Sequence, residues 1–312
     1  MMWLNATLKT IMLTSAVGLV GLVVLRTYLF PSAHHNRGQM IFTWLFAILL
    51  LAASALDVVV TIRSILGYAN AELVWNYLQN TRHGLALWWR LGATLGLAIF
   101  LSITRLPRAV SAFVMGISAS LVLLTFSAIS HAAAMGGRPE IALDWLHFMA
   151  AASWAGGLVM FVIMPTTLIP STTKTSTTTK TSASKTSAPH NLVLTGMNRL
   201  SQLGLGAVTV LMLTGILSAR LHVSRVNTLV TTSYGWALLV KVGLVLITLM
   251  IAAANRWIFL PAFQRQQSLS FDAPETSSTH HPLIRALRYE AVLLVTVLAA
   301  TGVLSTQPMP HE

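Results

Sequence analysis

Eight stretches of this chain are each long and apolar enough to cross the ~30 Å hydrocarbon core of a bilayer as a helix of about 20 residues. They fall at roughly 8–30, 40–62, 84–104, 108–131, 142–165, 197–222, 233–260 and 283–305. The predicted fold class is therefore an all-α membrane protein with eight transmembrane helices. Composition agrees, because 55% of residues are apolar and only 9% are charged, a balance that ordinary soluble domains do not show. The first stretch begins almost at the N-terminus with no small-residue cleavage site after it, and is expected to remain as an uncleaved span.

The formal charge of +12 would point to nucleic acid in a soluble chain. Between spans it reads as topology, and no nucleic-acid partner is expected. The connections after the first, third, fifth and seventh stretches carry twelve Lys and Arg, from Arg26 and Arg37 to Arg285 and Arg288. The opposite side carries six: Lys9, Arg63, Arg82, Arg138, Arg220 and Arg225. By the positive-inside bias both termini face the periplasm, as does the turn at 130–147.

The chain is expected to be a single polytopic domain over 1–312, with a Ser/Thr/Lys tract at 171–189 as a disordered cytoplasmic linker. One internal echo stands out. T-R-H-G-L-A-L-W-W-R-L-G at 81–92 aligns with T-S-Y-G-W-A-L-L-V-K-V-G at 232–243, a basic residue standing at the same place in each. Two segments alike and four helices apart imply parallel halves, about 1–135 and 140–312, a plan that transport proteins use.

The polar residues sort by side. Asp57 is expected to end the second helix, His83 to precede the third, His131 to end the fourth, His147 to start the fifth and His222 to end the sixth, all at the outer face, with Met135 one turn beyond His131. Met309 and His311 lie at the outer C-terminus, whereas His34, His35, His280 and His281 fall in cytoplasmic polar loops. Glu140, Asp144, His147 and Trp154 recur at helical spacing and share one face. A carboxylate one turn before an imidazole can hold one ring nitrogen and leave the other for a metal; acids there also simply complement the helix dipole. Arg90 and Lys241 lie about two turns into the membrane and need acidic partners, for which Asp57, Asp144 and Glu140 are the candidates. Arg256 and Glu290 are expected to form an ion pair on the other side. Gly92 and Gly96, and separately Gly156 and Gly157, are expected to allow close helix packing.

There is no cysteine, so thiolate sites and Cys nucleophiles are excluded. No nucleotide fingerprint or Ser-His-Asp order is present, and the chain is not expected to be an enzyme. Imidazole suits Cu, Zn, Ni and Fe, and thioether selects Cu(I) among them. On ligand softness, copper is the preferred ion.

The run L-D-W-L-H-F-M-A-A-A-S-W-A-G-G-L at 143–158 resembles the signature helix of the copper resistance protein D (CopD) family of bacterial inner-membrane proteins. T-R-H-G-L-A-L-W-W-R-L at 81–91, Y-G-W-A-L-L-V-K-V-G-L at 234–244 with A-A-A-N-R at 252–256, and R-Y-E-A-V-L-L-V at 288–295 are similar to the same family. The resemblance covers the chain from about 75 onward, the first two helices being generic. It implies a copper-handling protein in the inner membrane, often associated with a small periplasmic copper-binding protein (CopC-like). That partner is expected as a separate chain, since no fused β-domain is visible. Carried over residue by residue, the resemblance points to His131, His147, Trp154, Gly156 and Gly157, with Arg90 and Lys241 in the repeated helix.

The leading expectation is a copper permease whose periplasmic site is built by His131 and His147 with Met135 or His83, between the third, fourth and fifth helices. Asp144, Glu140, Asp57, Trp154, Arg90 and Lys241 line it or its pathway. No Met or His ladder leads inward. Two alternatives stay open: a haem b cytochrome, which requires two histidines facing one another across a cavity, and a copper-binding scaffold that does not transport.

Overall fold

The computed structural model describes residues 2–31, 37–103, 107–130, 137–164, 188–222, 228–262 and 281–306. Its elements are α1 (Met2–Val24), α2 (Arg37–Leu66), α3 (Ala71–Asn80), α4 (Arg82–Ser102), α5 (Arg108–Ser127), α6 (Arg138–Ile163), α7 (Ala188–His222), α8 (Thr228–Thr231), α9 (Ser233–Ala254) and α10 (His281–Leu304). Wider π-helical turns extend α1 through Leu25–Leu29 and α9 through Asn255–Phe259. Among the described residues eight helices have the length and apolarity to span a membrane, and no strand occurs. The protein is thus an all-helical, multi-pass membrane protein. Below, the first face is the one at which α1, α4, α6 and α9 begin, and the second face is the one at which they end.

The N-terminal helix is the hub. Of the residues in its most apolar window 67% are buried, against 6% for α9. It packs on α2, α5, α6 and α10. A helix apolar on every side, with its only charges near the two ends, is suited to this position and to no other. The chain's other helices lie outside this ring: α4 against α2 and α5, α7 against α6, and α9 against α10.

Small residues set the tightest contact. A Cβ on Gly156 of α6 would stand 2.2 Å from the Val17 carbonyl oxygen of α1, and a Cβ on Gly21 would stand 2.2 Å from the Gly156 carbonyl oxygen. The two backbones touch without a side chain between them, which is how helices associate where no hydrophobic force drives them together. Gly156 therefore packs as anticipated. Gly92 and Gly96 do not: a Cβ at either meets nothing within 4 Å, because α4 turns these positions away from its neighbours.

Arginines close helix C-termini at the second face, where orphan carbonyls and the negative dipole end attract a cation. Arg26 donates to the carbonyls of Leu101 and Ile103 at 2.6 and 2.5 Å, at the end of α4. Arg199 donates to Tyr28 and Leu29 at 3.0 and 3.2 Å, at the end of α1.

Several boundaries differ from those read in sequence. α2 runs to Leu66, so Asp57 lies inside it and not at its end. α6 starts at Arg138, which sets His147 about 13 Å along the axis from the helix start. Between Arg63 and Thr81, where sequence shows only a connection, the amphipathic helix α3 forms, capped by the Asn70 side chain accepting from Leu73 N at 2.8 Å. Too short to show as a span, it escapes hydropathy. The linker tract lies outside the described residues except for 188–189, which belong to α7.

Because Gly156 sits against backbone, Gly156→Ala is expected to cost about 1–3 kcal/mol of stability. Gly92→Ala should be neutral or slightly stabilising. Thermal unfolding of the two variants in detergent distinguishes them; equal midpoints would show that the α1/α6 contact does not hold the bundle.

Candidate functional site

Polar side chains inside the spans gather in three clusters. The first joins α1, α2, α3 and α4 near the first face. Lys9 Nζ lies 2.7 Å from Asp57 Oδ2, and His83 Nε2 lies 3.7 Å from the same oxygen. The Tyr77 hydroxyl is 2.7 Å from His83 Nδ1, and the two rings meet edge to face at 5.8 Å. Tyr77, on α3 and outside the spans, has its phenol pKa raised above 10.0 by burial and then by the charge of Asp57, with Thr81 opposing. The Tyr77 hydroxyl thus occupies Nδ1, while Nε2 faces the Asp57 carboxylate at a distance too long for a hydrogen bond.

Beside this cluster Arg90 is almost wholly enclosed, 1% exposed. No acid touches it. Its Nε donates to Thr125 Oγ1 at 3.0 Å and its other nitrogens to Ser54 Oγ at 3.1 Å and the Thr125 carbonyl at 3.4 Å. The Phe126 ring lies 3.9 Å from the guanidinium carbon, a cation–π contact that gains strength away from water. Asp57 acts on Arg90 only through space, because Lys9 has claimed its carboxylate. The expected acid partner for Arg90 is thus replaced by neutral oxygens and an aromatic face.

The second cluster joins α6, α7 and α9. His147 Nδ1 is 2.8 Å from Thr214 Oγ1, whose own hydrogen is directed to the Val210 carbonyl at 2.7 Å. Thr214 thus occupies Nδ1, and among the described residues no hydrogen bond is made to Nε2. Asp144 and Lys241 are within electrostatic reach of one another and of the imidazole. The group that holds His147 is a threonine on the next helix, not the carboxylate one turn earlier on its own. Glu140 is used differently again: its Oε2 accepts the Gly137 N–H at 2.6 Å and caps α6.

The third cluster lies further along the same helices, toward the second face. Trp154 is 5% exposed and stands seven residues, about 10 Å, beyond His147. The Asn255 amide donates to the Glu290 carboxyl at 2.6 Å, with the Trp154 indole on the same side. Arg256 donates to Ser201 Oγ instead of pairing with Glu290. The π-helical turn at Asn255–Phe259 presents Asn255, and not Arg256, to α10, so the anticipated ion pair does not form. These residues line a cavity of about 300 Å³ between α6, α7, α9 and α10.

His131 and Met135 lie outside the described residues, as do His34, His35, His280, Met309 and His311. His83 and His147 belong to separate clusters with no common partner. Among the described residues no three His, Asp or Glu side chains converge on one point. His83 and His147 each have Nδ1 held by a hydroxyl; Nε2 of His83 faces the Asp57 carboxylate, whereas no carboxylate stands within 4 Å of His147 among the described residues. His83 and His147 thus stand in separate clusters, and nothing in the described structure supports the haem alternative. Lys9, Tyr77, Thr214 and Asn255 were not singled out in sequence; Lys9 alone left a signal, a charge within an apolar run.

The internal echo has a local counterpart. Thr81 and Thr232 adopt the same extended backbone, and their hydroxyls accept from Gly84 N at 2.9 Å and Gly235 N at 3.0 Å. Each caps its helix three residues before a glycine and nine before the basic residue.

Residues 1–141 match the family described as copper resistance protein D-like, N-terminal domain, and residues 195–304 match the family described as copper resistance protein D. The first match takes in α1 and α2, which sequence reading left as generic. Residues 143–158 fall between the two. The copper transport protein CutJ of Bacillus subtilis (strain 168) is 27% identical over 192 residues, covering 61% of this chain and 30% of that relative's length. The chain thus spans less than a third of that relative. No solved structure matches.

Asp57 is 3% exposed at its side chain and Lys9 28%. Lys9→Met is expected to cost about 3 kcal/mol, the low end for breaking a buried pair. The double variant Lys9→Met/Asp57→Asn should recover part of that loss, and a strictly additive result in thermal unfolding would show that the pair is not coupled. Asp57→Asn should also lower the pH at which Tyr77 ionises, followed by ultraviolet absorbance against a Tyr77→Phe control.

Proposed function

We propose, from the premise that this chain belongs to the copper resistance protein D family, that it takes copper ions at the periplasmic face of a bacterial inner membrane and moves them toward the cytoplasm. The observation that carries the reading is His147: Thr214 occupies its Nδ1 and leaves Nε2, in the membrane interior and close to the first face, free to bind a metal. His131 and Met135, in the connection leading into α6, complete the ligand set in this reading. Imidazole plus thioether suits copper in either oxidation state. Few ligands mean weak capture and ready release, which passage requires.

The other parts follow from the same premise. The first face is periplasmic, so both termini lie there, and two parallel four-helix halves each begin their third helix with a Thr cap followed by a buried cation. Lys241 and Arg90 oppose the accumulation of more than one copper ion near each half. A separate periplasmic copper-binding protein delivers the ion, and the protein moves it without chemical conversion.

The test is copper content and copper uptake in proteoliposomes. His147→Ala should abolish uptake and lower bound copper. Thr214→Val, which removes the hydroxyl at Nδ1 but keeps the volume, should weaken copper binding about 10–100-fold. Unchanged copper content in both variants would reject the His147 site.

A further inference from the structure

The cavity of about 300 Å³ between α6, α7, α9 and α10 has no part in the His147 cluster, and its lining is mostly apolar: Leu158, Leu200, Val208 and Leu249 are among its walls. That volume is large enough to admit water beside its polar wall. Its polar wall carries an unusual pair. Glu290 is 4% exposed and Asn255 is 6% exposed. Asn255 Nδ2 donates to Glu290 Oε2 at 2.6 Å, yet Asn255 Oδ1 is buried with no hydrogen-bond partner among the described residues.

The groups facing Glu290 are almost all neutral. From α6 comes the Trp154 indole, from α7 the Ser201 hydroxyl, and from α9 Asn255 with Arg256 on the same cavity wall, its guanidinium directed to Ser201. On α10 itself Arg285 and Arg288 are exposed. From α1, which also packs on α10, Lys9 is paired with Asp57 and Arg26 is bound to carbonyls of Leu101 and Ile103. No cation lies within 4 Å of the Glu290 carboxyl among the described residues. A charged carboxylate in such surroundings is costly, whereas a carboxylic acid is not.

A carboxylic acid and a carboxamide can bond at both ends, amide N–H to one carboxyl oxygen and carboxyl O–H to the amide oxygen. Here the first bond is made, and the acceptor for the second is vacant. We propose that Glu290 and Asn255 form a proton-binding site within the membrane, in which the loaded carboxyl donates its O–H to Asn255 Oδ1 and water in the cavity delivers and removes the proton. Binding one proton converts a carboxylate to a neutral acid; release returns that proton to water as hydronium. Intramembrane carboxyls of this kind serve proton relays, so the site supplies a place where ion movement and a proton gradient can be coupled. It does not depend on the copper reading.

The test uses purified full-length protein in detergent and dicyclohexylcarbodiimide, which modifies protonated carboxyls in apolar surroundings, with the adduct mapped by mass spectrometry. Glu290 should be labelled near neutral pH, and labelling should fall about tenfold per pH unit once the group is ionised. Glu290→Gln should carry no adduct there while still eluting as a folded species and binding copper as the wild type does. Asn255→Ala should move the pH at which labelling is lost. Absence of an adduct at Glu290 in the folded wild type at every pH, or labelling indifferent to pH, would overturn the proposal; an unmoved profile in Asn255→Ala would overturn the paired geometry. None of these readings uses His147, so they succeed or fail apart from the copper site.

Discussion

Where α1 and α6 meet at Gly21 and Gly156, backbone lies on backbone, and the position of every functional group in this bundle follows from that contact. In a bilayer, lipid tails are as apolar as leucine, so helices are held by close packing and by the polar groups they share. A helix admitted this closely becomes the hub on which α2, α5 and α10 also pack. It brings Lys9 to Asp57 on one side. On the other it fixes the axis of α6, along which His147 and Trp154 are strung.

The three polar clusters answer one constraint in different ways, namely that no polar group in the membrane interior can be left to water. At Asp57 the solution is a charge pair with Lys9, extended through His83 to Tyr77. Around Arg90 it is neutral oxygen and an aromatic face, so the positive charge persists without a contacting anion. The third cluster gives Glu290 the Asn255 amide as donor and leaves Asn255 Oδ1 without a partner among the described residues. The groups around Asp57 and Arg90 are held mostly by one another and read as architecture. His147 and the Glu290/Asn255 pair each retain an unused valence, and those unused valences are where ligands can act.

Hydropathy showed the eight spans because membrane length is written directly as a run of apolar residues. The repeated T-x-x-G opening was also legible, since a Thr cap three residues before a glycine is a local signal, and both caps form. Partner choice was not. Arg90 had three acids to choose from in sequence, and it took none of them, because Lys9, counted as a loop charge, begins inside α1 and reaches Asp57 first. Arg256 and Glu290 had the right signs and side of the membrane, yet a π-helical turn rotated Asn255 into the place that Arg256 was expected to fill. The α3 helix escaped notice because ten amphipathic residues leave no hydropathic trace of a span.

What the sequence alone determined, then, is one-dimensional: the number of helices, their apolar character, the caps that open α4 and α9, and a donor set of imidazole and thioether without thiolate. Which helix lies at the centre, which glycine touches a neighbour and which histidine keeps a free nitrogen were decided only by tertiary structure. The physical reason is that these depend on the rotation of each helix about its axis. Rotation is set by contacts between residues tens or hundreds of positions apart, such as Val17 with Gly156 or His147 with Thr214, and a run of apolar residues looks the same from every side.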